Sequence, residues 1–230
     1  MKLSVIIPVY NEAKTLPQIL ERVKSVHMDH CAIEIILVND GSTDQSPQQL
    51  LTISKTFGAT LLNHAKNLGK GAAIVTGLKE TSGDYVIIQD ADLEYDPQDY
   101  KILLQVLLDG QADVAYGSRF LGNNNQQMYA THRTANHLLT FFTNLLYGAS
   151  LTDMETCYKM APAPLLRNLT LRSKRFEFEP ELTSKLLKNG YCIKEVPISY
   201  TGRRFREGKK ISMLDGLIAV WTLIRYRFSD

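Results

Sequence analysis

The chain has 230 residues, 44% of them hydrophobic and 22% charged, an ordinary globular composition with enough length for one large domain and a sizeable core. A formal net charge of +2 gives no global electrostatic case for a nucleic-acid partner, although basic residues gather near the C-terminus. Three widely spaced cysteines, Cys31, Cys157 and Cys192, form no CxxC pair and have no histidine at ligand spacing, which argues against a disulfide framework or a zinc site and fits a reducing, cytoplasmic setting.

The first element is a strand-like run, "KLSVIIPVY", too short and too β-branched for a signal peptide. From there, apolar runs of strand length alternate with segments of helical period. "LSVIIPV" precedes "TLPQILERVKSV", "IEIILVN" precedes "SPQQLLTISKTF", "ATLLN" precedes "GAAIVTGLKETS", and "DYVIIQ" precedes "PQDYKILLQVLLDG". In the first helical segment Leu16, Ile19, Leu20, Val23 and Val26 share one face. Runs that are apolar throughout predict strands covered on both sides, and the βαβα order predicts a mostly parallel, doubly wound α/β sheet flanked by helices.

Ligands of such sheets sit beyond the carboxyl ends of the strands, where the strand order reverses. The residues there are "PVYNE" (8–12), "NDGSTD" (39–44), "DADLE" (90–94) and "GSRF" (117–120), all polar, turn-prone or charged. After residue 120 come the polar loop "GNNNQQ", a helical segment over 129–147, the strand "CIKEVPISY", the basic loop "TGRRFREGKK" and a last apolar segment over 211–228. With no repeat and no Pro- or Ser-rich linker, residues 1–230 read as one domain: a nucleotide-binding half, 1–120, and an acceptor half, 121–230. No stretch approaches the roughly 18 to 20 uninterrupted apolar residues of a membrane span.

Asp90, Asp92 and Glu94 follow the fourth strand at alternate positions, and in an extended chain residues two apart point the same way. Crowded carboxylates repel unless a cation lies between them. Oxygen-only ligands select a hard cation, Mg²⁺ or Mn²⁺, that keeps positions open for phosphate oxygens, so the cluster suggests a diphosphate ligand. The same residues before Asp96-Pro97 also read as a solvated turn capping the next helix. Lys70 in "NLGKGAA" can meet a phosphate or lie on the surface, while Gly69 and Gly71 suit a close approach of the backbone to a ligand or the start of a helix; the spacing is not that of a P-loop.

"SVIIPVYNE", "ILVNDGSTD", "NLGKGAA", "IIQDADLEYDP", "YGSR" and "FEFEPELTSKLLKNGY…VPISY", in this order, resemble the GT-A glycosyltransferases of family 2, nearest to the polyprenyl-phosphate (dolichol-phosphate) sugar transferases. The resemblance spans nearly the whole chain. It implies a GT-A fold, a nucleotide diphosphate sugar donor, UDP- or GDP-linked, and inverting transfer. It places Pro8, Tyr10, Glu12 and Asp40 around the base and ribose and Asp90 and Asp92 on metal and diphosphate, with Glu94, where close relatives often carry Gln, as a third metal ligand.

A hydroxyl acceptor needs a carboxylate base; a phosphate acceptor is already an anion and needs cations to hold it. The cations available are Arg119, Arg133, Arg203, Arg204, Arg206, Lys209 and Lys210, and the resemblance puts Arg119 and Arg133 on the acceptor phosphate, with the basic loop, Arg203 and Lys210 foremost, over the donor diphosphate. Asp153, Glu155, Glu177, Glu179 and Glu181 are the carboxylates from which a base would come, and the resemblance sets Asp153 on the acceptor side. Glu179 and Glu181 around Pro180 also suit a helix N-terminus. His132 and His137 on an amphipathic helix, with no third ligand, read as packing or surface residues.

The expected activity is sugar transfer to a polyprenyl phosphate. Segments 129–147 and 213–228 carry aromatics beside arginines, so they can lie in a membrane interface or pack on the sheet. The chain is thus expected at the inner face of the membrane, by peripheral contact or through a membrane-embedded partner. The alternatives are a GT-A transferase for a soluble hydroxyl acceptor and a non-catalytic nucleotide-sugar-binding module.

Overall fold

The computed structural model describes residues 1–122, 130–202 and 213–229. The four apolar runs of the first half form β1 (Lys2–Val9), β2 (Ala32–Asn39), β3 (Thr60–Asn63) and β4 (Tyr85–Ile88). Between them lie α1 (Leu16–Lys24), α2 (Ser46–Phe57) and α3 (Lys70–Lys79). After β4 a short 3₁₀ turn, Pro97–Asp99, leads into α4 (Tyr100–Leu108) and β5 (Val114–Ser118). The remainder comprises α5 (Ala130–Tyr147), β6 (Lys159–Pro162), α6 (Ala163–Asn168), α7 (Phe178–Lys188), β7 (Ile193–Pro197) and α8 (Met213–Phe228).

One seven-stranded sheet results, in the order β3-β2-β1-β4-β6-β5-β7. Its pairs are parallel except those that β6 makes with β4 and β5. The sequence reading anticipated the parallel strands and missed β6, which is inserted between β4 and β5. Leu3, Val5, Ile6, Ile7 and Val9 of β1 are buried because helices cover both faces of the sheet.

The chain steps outward from β1 through β2 to β3, then places β4 on the other side of β1, so the order reverses between β1 and β4. Pro8 marks that point. The β1–β4 ladder ends at Ile6↔Ile88, followed by a bond from Gln89 N to Ile6 O at 2.9 Å. Hydrogen bonds alternate sides along a strand, so the N–H that Pro8 lacks would face β4 only after β4 has left, which is why a proline is tolerated in a central strand.

A second, smaller core lies under α5 and α8, formed by Leu139, Leu151, Met154, Ala219 and Leu223. No helix among the described residues is long and apolar enough to cross a membrane.

Candidate active site at the carboxyl ends of the strands

The turns after β1 and β2 lock together. Asn11, at φ +56°, accepts at Oδ1 from Thr43 N (2.8 Å), while the Ser42 and Ser46 hydroxyls accept from Asn11 N and Glu12 N, each at 3.1 Å. Pro8, Tyr10 and Glu12 stand half-buried at this rim, and Glu12 Oε2 accepts from the Thr15 hydroxyl at 3.0 Å. Asp40 is buried beneath them. Its carboxylate accepts from Leu68 N (2.9 Å) and Gly69 N (2.8 Å) and lies 2.7 Å from His64 Nδ1, so it holds the loop that leads into α3. His64 Nε2 meets the Thr76 hydroxyl at 2.9 Å, a linkage the sequence reading missed.

The glycines of "NLGKGAA" admit a close approach, but by the protein's own backbone. A Cβ on Gly69 would meet Lys174 O at 2.3 Å and one on Gly71 would meet Ser173 O at 2.5 Å. The expected room for a ligand is therefore taken by segment 173–175, which also accepts from Ala72 N at 3.0 Å.

The carboxylates after β4 are each engaged by different partners. The strand ends at Ile88 and the chain turns, with Leu93 at φ +66°, a conformation that costs a branched residue on the order of 1–3 kcal/mol. Asp90 faces Lys70, whose Nζ lies 2.8 Å and 3.1 Å from its two oxygens. Asp92 Oδ1 accepts from Glu94 N at 3.1 Å. Glu94 is engaged by the Tyr200–Thr201 segment: its Oε2 accepts from the Tyr200 hydroxyl at 2.6 Å and its carbonyl from Thr201 N at 2.8 Å. This differs from the expectation, drawn from the family resemblance, that Glu94 serves as a third metal ligand. No group of three or more His, Cys, Asp or Glu side chains among the described residues is arranged to hold a metal. Asp90 and Asp92 remain as oxygen donors suited to a hard divalent cation that takes its other ligands from phosphate and water. Asp96 caps the 3₁₀ turn, accepting from Gln98 N at 3.0 Å.

Beneath Asp90 runs a buried chain of charge. Lys70 Nζ also lies 3.4 Å from Glu179 Oε1, while Glu179 Oε2 accepts from Lys159, whose Nζ further donates to Thr156 O at 2.5 Å. Burial works against the Lys70 ammonium, but Asp90 and Glu179 outweigh it and hold its pKa well above the usual lysine value. The buried Cys157 thiol is pushed up by burial and by Asp90. Glu155 carries a buried Oε1 with no hydrogen-bond partner, and burial, only partly offset by Lys159, raises its pKa to about 7. Glu181, at the start of α7, accepts from Ser173 N and Lys185 Nζ, both at 2.6 Å, which is the helix-terminus reading of this motif.

On the other side of the strand ends, Arg119 and Asp153 are paired. Nε and Nη2 each reach a different Asp153 oxygen at 2.7 Å, and the Arg119 backbone N adds a third bond at 2.9 Å. Glu195 of β7, unremarked in the sequence reading, accepts from Thr152 N (2.6 Å) and Asp153 N (2.9 Å) and so fixes this loop. Phe120 stacks on His137 at 4.5 Å, and Arg133, exposed and four residues earlier on α5, shares that helix face. Arg203, Arg204, Arg206, Lys209 and Lys210 lie outside the described residues.

Among the described residues, ten of the fifteen large hydrophobic side chains left exposed belong to α5 and α8. Phe141 (60%), Leu145 (68%), Leu217 (68%) and Trp221 (63%) are among the most open, and Arg227 ties the pair together through Nε to Leu146 O at 2.8 Å. The two helices bury one face in the second core and leave the other apolar face in solvent.

Residues 4–169 match the model of the family described as "Glycosyl transferase family 2". The low-salt glycan biosynthesis hexosyltransferase Agl6 of Haloferax volcanii is 31% identical over 226 residues, 97% of this chain and 52% of that protein. The dolichol-phosphate mannosyltransferase of Pyrococcus furiosus is 31% identical over 133 residues, 58% of this chain and 37% of its own. This chain thus spans about half, or less, of the length of these two curated relatives. Among solved structures, glucosyl-3-phosphoglycerate synthase from Mycobacterium tuberculosis, determined with Mn²⁺, UDP and glucosyl-3-phosphoglycerate, superposes on all of this chain and 81% of that one with TM-score 0.75 at 19% identity. That likeness shows the GT-A fold.

Proposed function

Because the chain belongs to glycosyl transferase family 2, and is on that ground a glycosyltransferase, we propose that it moves one sugar from a nucleotide diphosphate sugar to a polyprenyl phosphate. The observation that carries the acceptor class is the state of the carboxylates. Asp153 is held by Arg119 and Glu179 by Lys70 and Lys159, so two of the carboxylates from which a base would come already serve as partners of buried cations. A nucleophile that arrives as an anion needs no base. Arg133 supplies positive charge that holds such an acceptor, and Arg203 and Lys210 of the basic loop offset the charge of the donor diphosphate beside it.

Pro8, Tyr10, Glu12 and Asp40 line the base and ribose end in this reading, Asp40 by fixing loop 64–69. Asp92 and Asp90 hold a divalent cation, Mg²⁺ or Mn²⁺, which when bound neutralises charge on the departing diphosphate. Lys70 stands behind Asp90 as a tethered cation of the same site. The apolar face of α5 and α8, with Arg225 and Arg227 at one end, suits the interface of an anionic membrane, where a lipid-linked acceptor resides. The experiment is transfer of label from UDP- and GDP-sugars into an organic-extractable product on addition of a short-chain polyprenyl phosphate.

A second reading has a specific observation behind it. Glu155, with an unpartnered oxygen and a pKa near the working pH, has the properties of a general base for a hydroxyl acceptor. It predicts that Glu155→Gln loses most turnover, whereas the phosphate-acceptor reading predicts that turnover survives.

A further inference from the structure

Tyr200 is the last residue of the apolar run that follows α7, and it is buried at 7% exposure. Its hydroxyl donates to Glu94 Oε2 at 2.6 Å, and its backbone forms an antiparallel bridge with Tyr95 that brings Thr201 N onto Glu94 O at 2.8 Å. The ring packs edge-on against Tyr95 at 5.2 Å. On its other side the guanidinium of Arg119 lies 5.2 Å from the ring centroid. One side chain therefore touches the turn that carries Asp92 and the arginine that is paired with Asp153.

The turn needs such an anchor. Leu93 is held at positive φ, and the bond that closes the turn, Glu94 N to Asp92 Oδ1, sets the Asp92 carboxylate by the placement of Glu94. A strained conformation persists only when its surroundings overdetermine it. The Glu94 side chain and carbonyl are both bound by the Tyr200–Thr201 segment, so the direction of Asp92 depends on where Tyr200 stands.

We propose that Tyr200 is a positioning residue that couples the two halves of the site: its hydroxyl sets the donor-side turn through Glu94, and its ring seats Arg119 on the acceptor side. This rests on the reading that Asp92 serves the donor diphosphate. Tyr200 touches neither substrate in this account. It makes the distance between the donor carboxylates and the Arg119–Asp153 pair a fixed property of the fold.

The test separates hydroxyl from ring. Tyr200→Phe keeps the packing and removes the hydroxyl, whereas Tyr200→Leu removes both. Binding of UDP and GDP with Mn²⁺ by calorimetry, and transfer kinetics with the acceptor the wild type uses, are read together with the melting temperature. Tyr200→Phe is expected to raise the nucleotide Kd about tenfold, the equivalent of one hydrogen bond to a charged group, with acceptor KM within about twofold of wild type. Tyr200→Leu is expected to add an acceptor KM rise of about 3- to 10-fold through loss of the ring beneath Arg119. An unchanged nucleotide Kd in Tyr200→Phe overturns the proposal, as does an equal rise of donor and acceptor constants in that variant. Wild-type transfer to a soluble hydroxyl, in place of a lipid phosphate, sinks the acceptor reading; the donor-side change in Tyr200→Phe then still decides for the coupling or against it.

Discussion

Asp153 accepts three hydrogen bonds from Arg119, two from the guanidinium, one onto each oxygen, and one from the backbone N, and both side chains are buried. Burial opposes the Arg119 charge and Asp153 outweighs it, raising the pKa well above the usual arginine value. Removing one partner leaves an uncompensated buried charge. Asp153→Ala and Arg119→Leu are each expected to lose about 3–5 kcal/mol of stability in urea unfolding at pH 7. The double variant Arg119→Met with Asp153→Leu is expected to recover at least half of that loss and to remain inactive, because the charges are retained for the site and not for the fold. Equal stability of the single and double variants would contradict this.

The two aspartates after β4 separate metal binding from folding. Asp92 is half-exposed and accepts a hydrogen bond from Glu94 N, so Asp92→Ala is expected to abolish Mn²⁺-dependent nucleotide binding while costing only about 1 kcal/mol of stability. Asp90→Ala leaves the Lys70 ammonium with Glu179 alone and is expected to cost about 1–3 kcal/mol as well as binding. Calorimetric titration with UDP and GDP, run beside thermal melts, checks both.

Glu155 predicts how stability varies with pH. Its pKa rises from the ordinary 4.5 to about 7 in the folded protein, so folding binds a proton more tightly than unfolding does. The contribution is fully present below about pH 4.5 and is lost as pH rises through about 7, for a total of about 3 kcal/mol. Wild-type stability is therefore expected to fall between pH 5 and pH 7.5, and Glu155→Gln to flatten that slope and to be the more stable protein at pH 8. Urea midpoints of the two proteins across this range are the measurement; parallel curves would refute it.

The apolar face of α5 and α8 predicts membrane association. Phe141, Leu145, Leu217 and Trp221 project into solvent, so the pair of changes Leu145→Ser and Trp221→Ser is expected to leave the melting temperature nearly unchanged. The same pair is expected to weaken co-sedimentation with vesicles containing anionic lipid by at least about tenfold, since each buried side chain contributes about 1.5–3 kcal/mol. Wild-type protein that stays in the supernatant with such vesicles would count against an interfacial role for this face.

The parallel half of the sheet was legible because its strands are written as uninterrupted apolar runs and its helices as clear stripes. The candidate site was placed by the same pattern, since polar residues occur just past each strand. β6 was not legible: "KMAP" is four residues with a lysine in it, and that lysine is buried only because Glu179, 20 residues on, meets it in space. The engagement of Glu94 by Tyr200 was not legible because nothing in "DADLE" announces that Leu93 takes a left-handed conformation. Likewise, the identity of the two locked carboxylates depends on pairings across 34 residues, Arg119 with Asp153, and across 20, Lys159 with Glu179, which no local pattern encodes. Tyr200 escaped for the same reason, its partner Glu94 lying 106 residues away.

The central claim is that the nucleophile brings its own negative charge to a site where Asp153 and Glu179 are already paired with cations. The most direct measurement compares transfer from the accepted nucleotide sugar to a short-chain polyprenyl phosphate and to the corresponding free polyprenol, in Mn²⁺ and with EDTA. The account predicts product with the phosphate, none with the alcohol, and loss of product with EDTA. Transfer to the alcohol at a comparable rate, or to a soluble hydroxyl acceptor with no effect of the lipid phosphate, would contradict it.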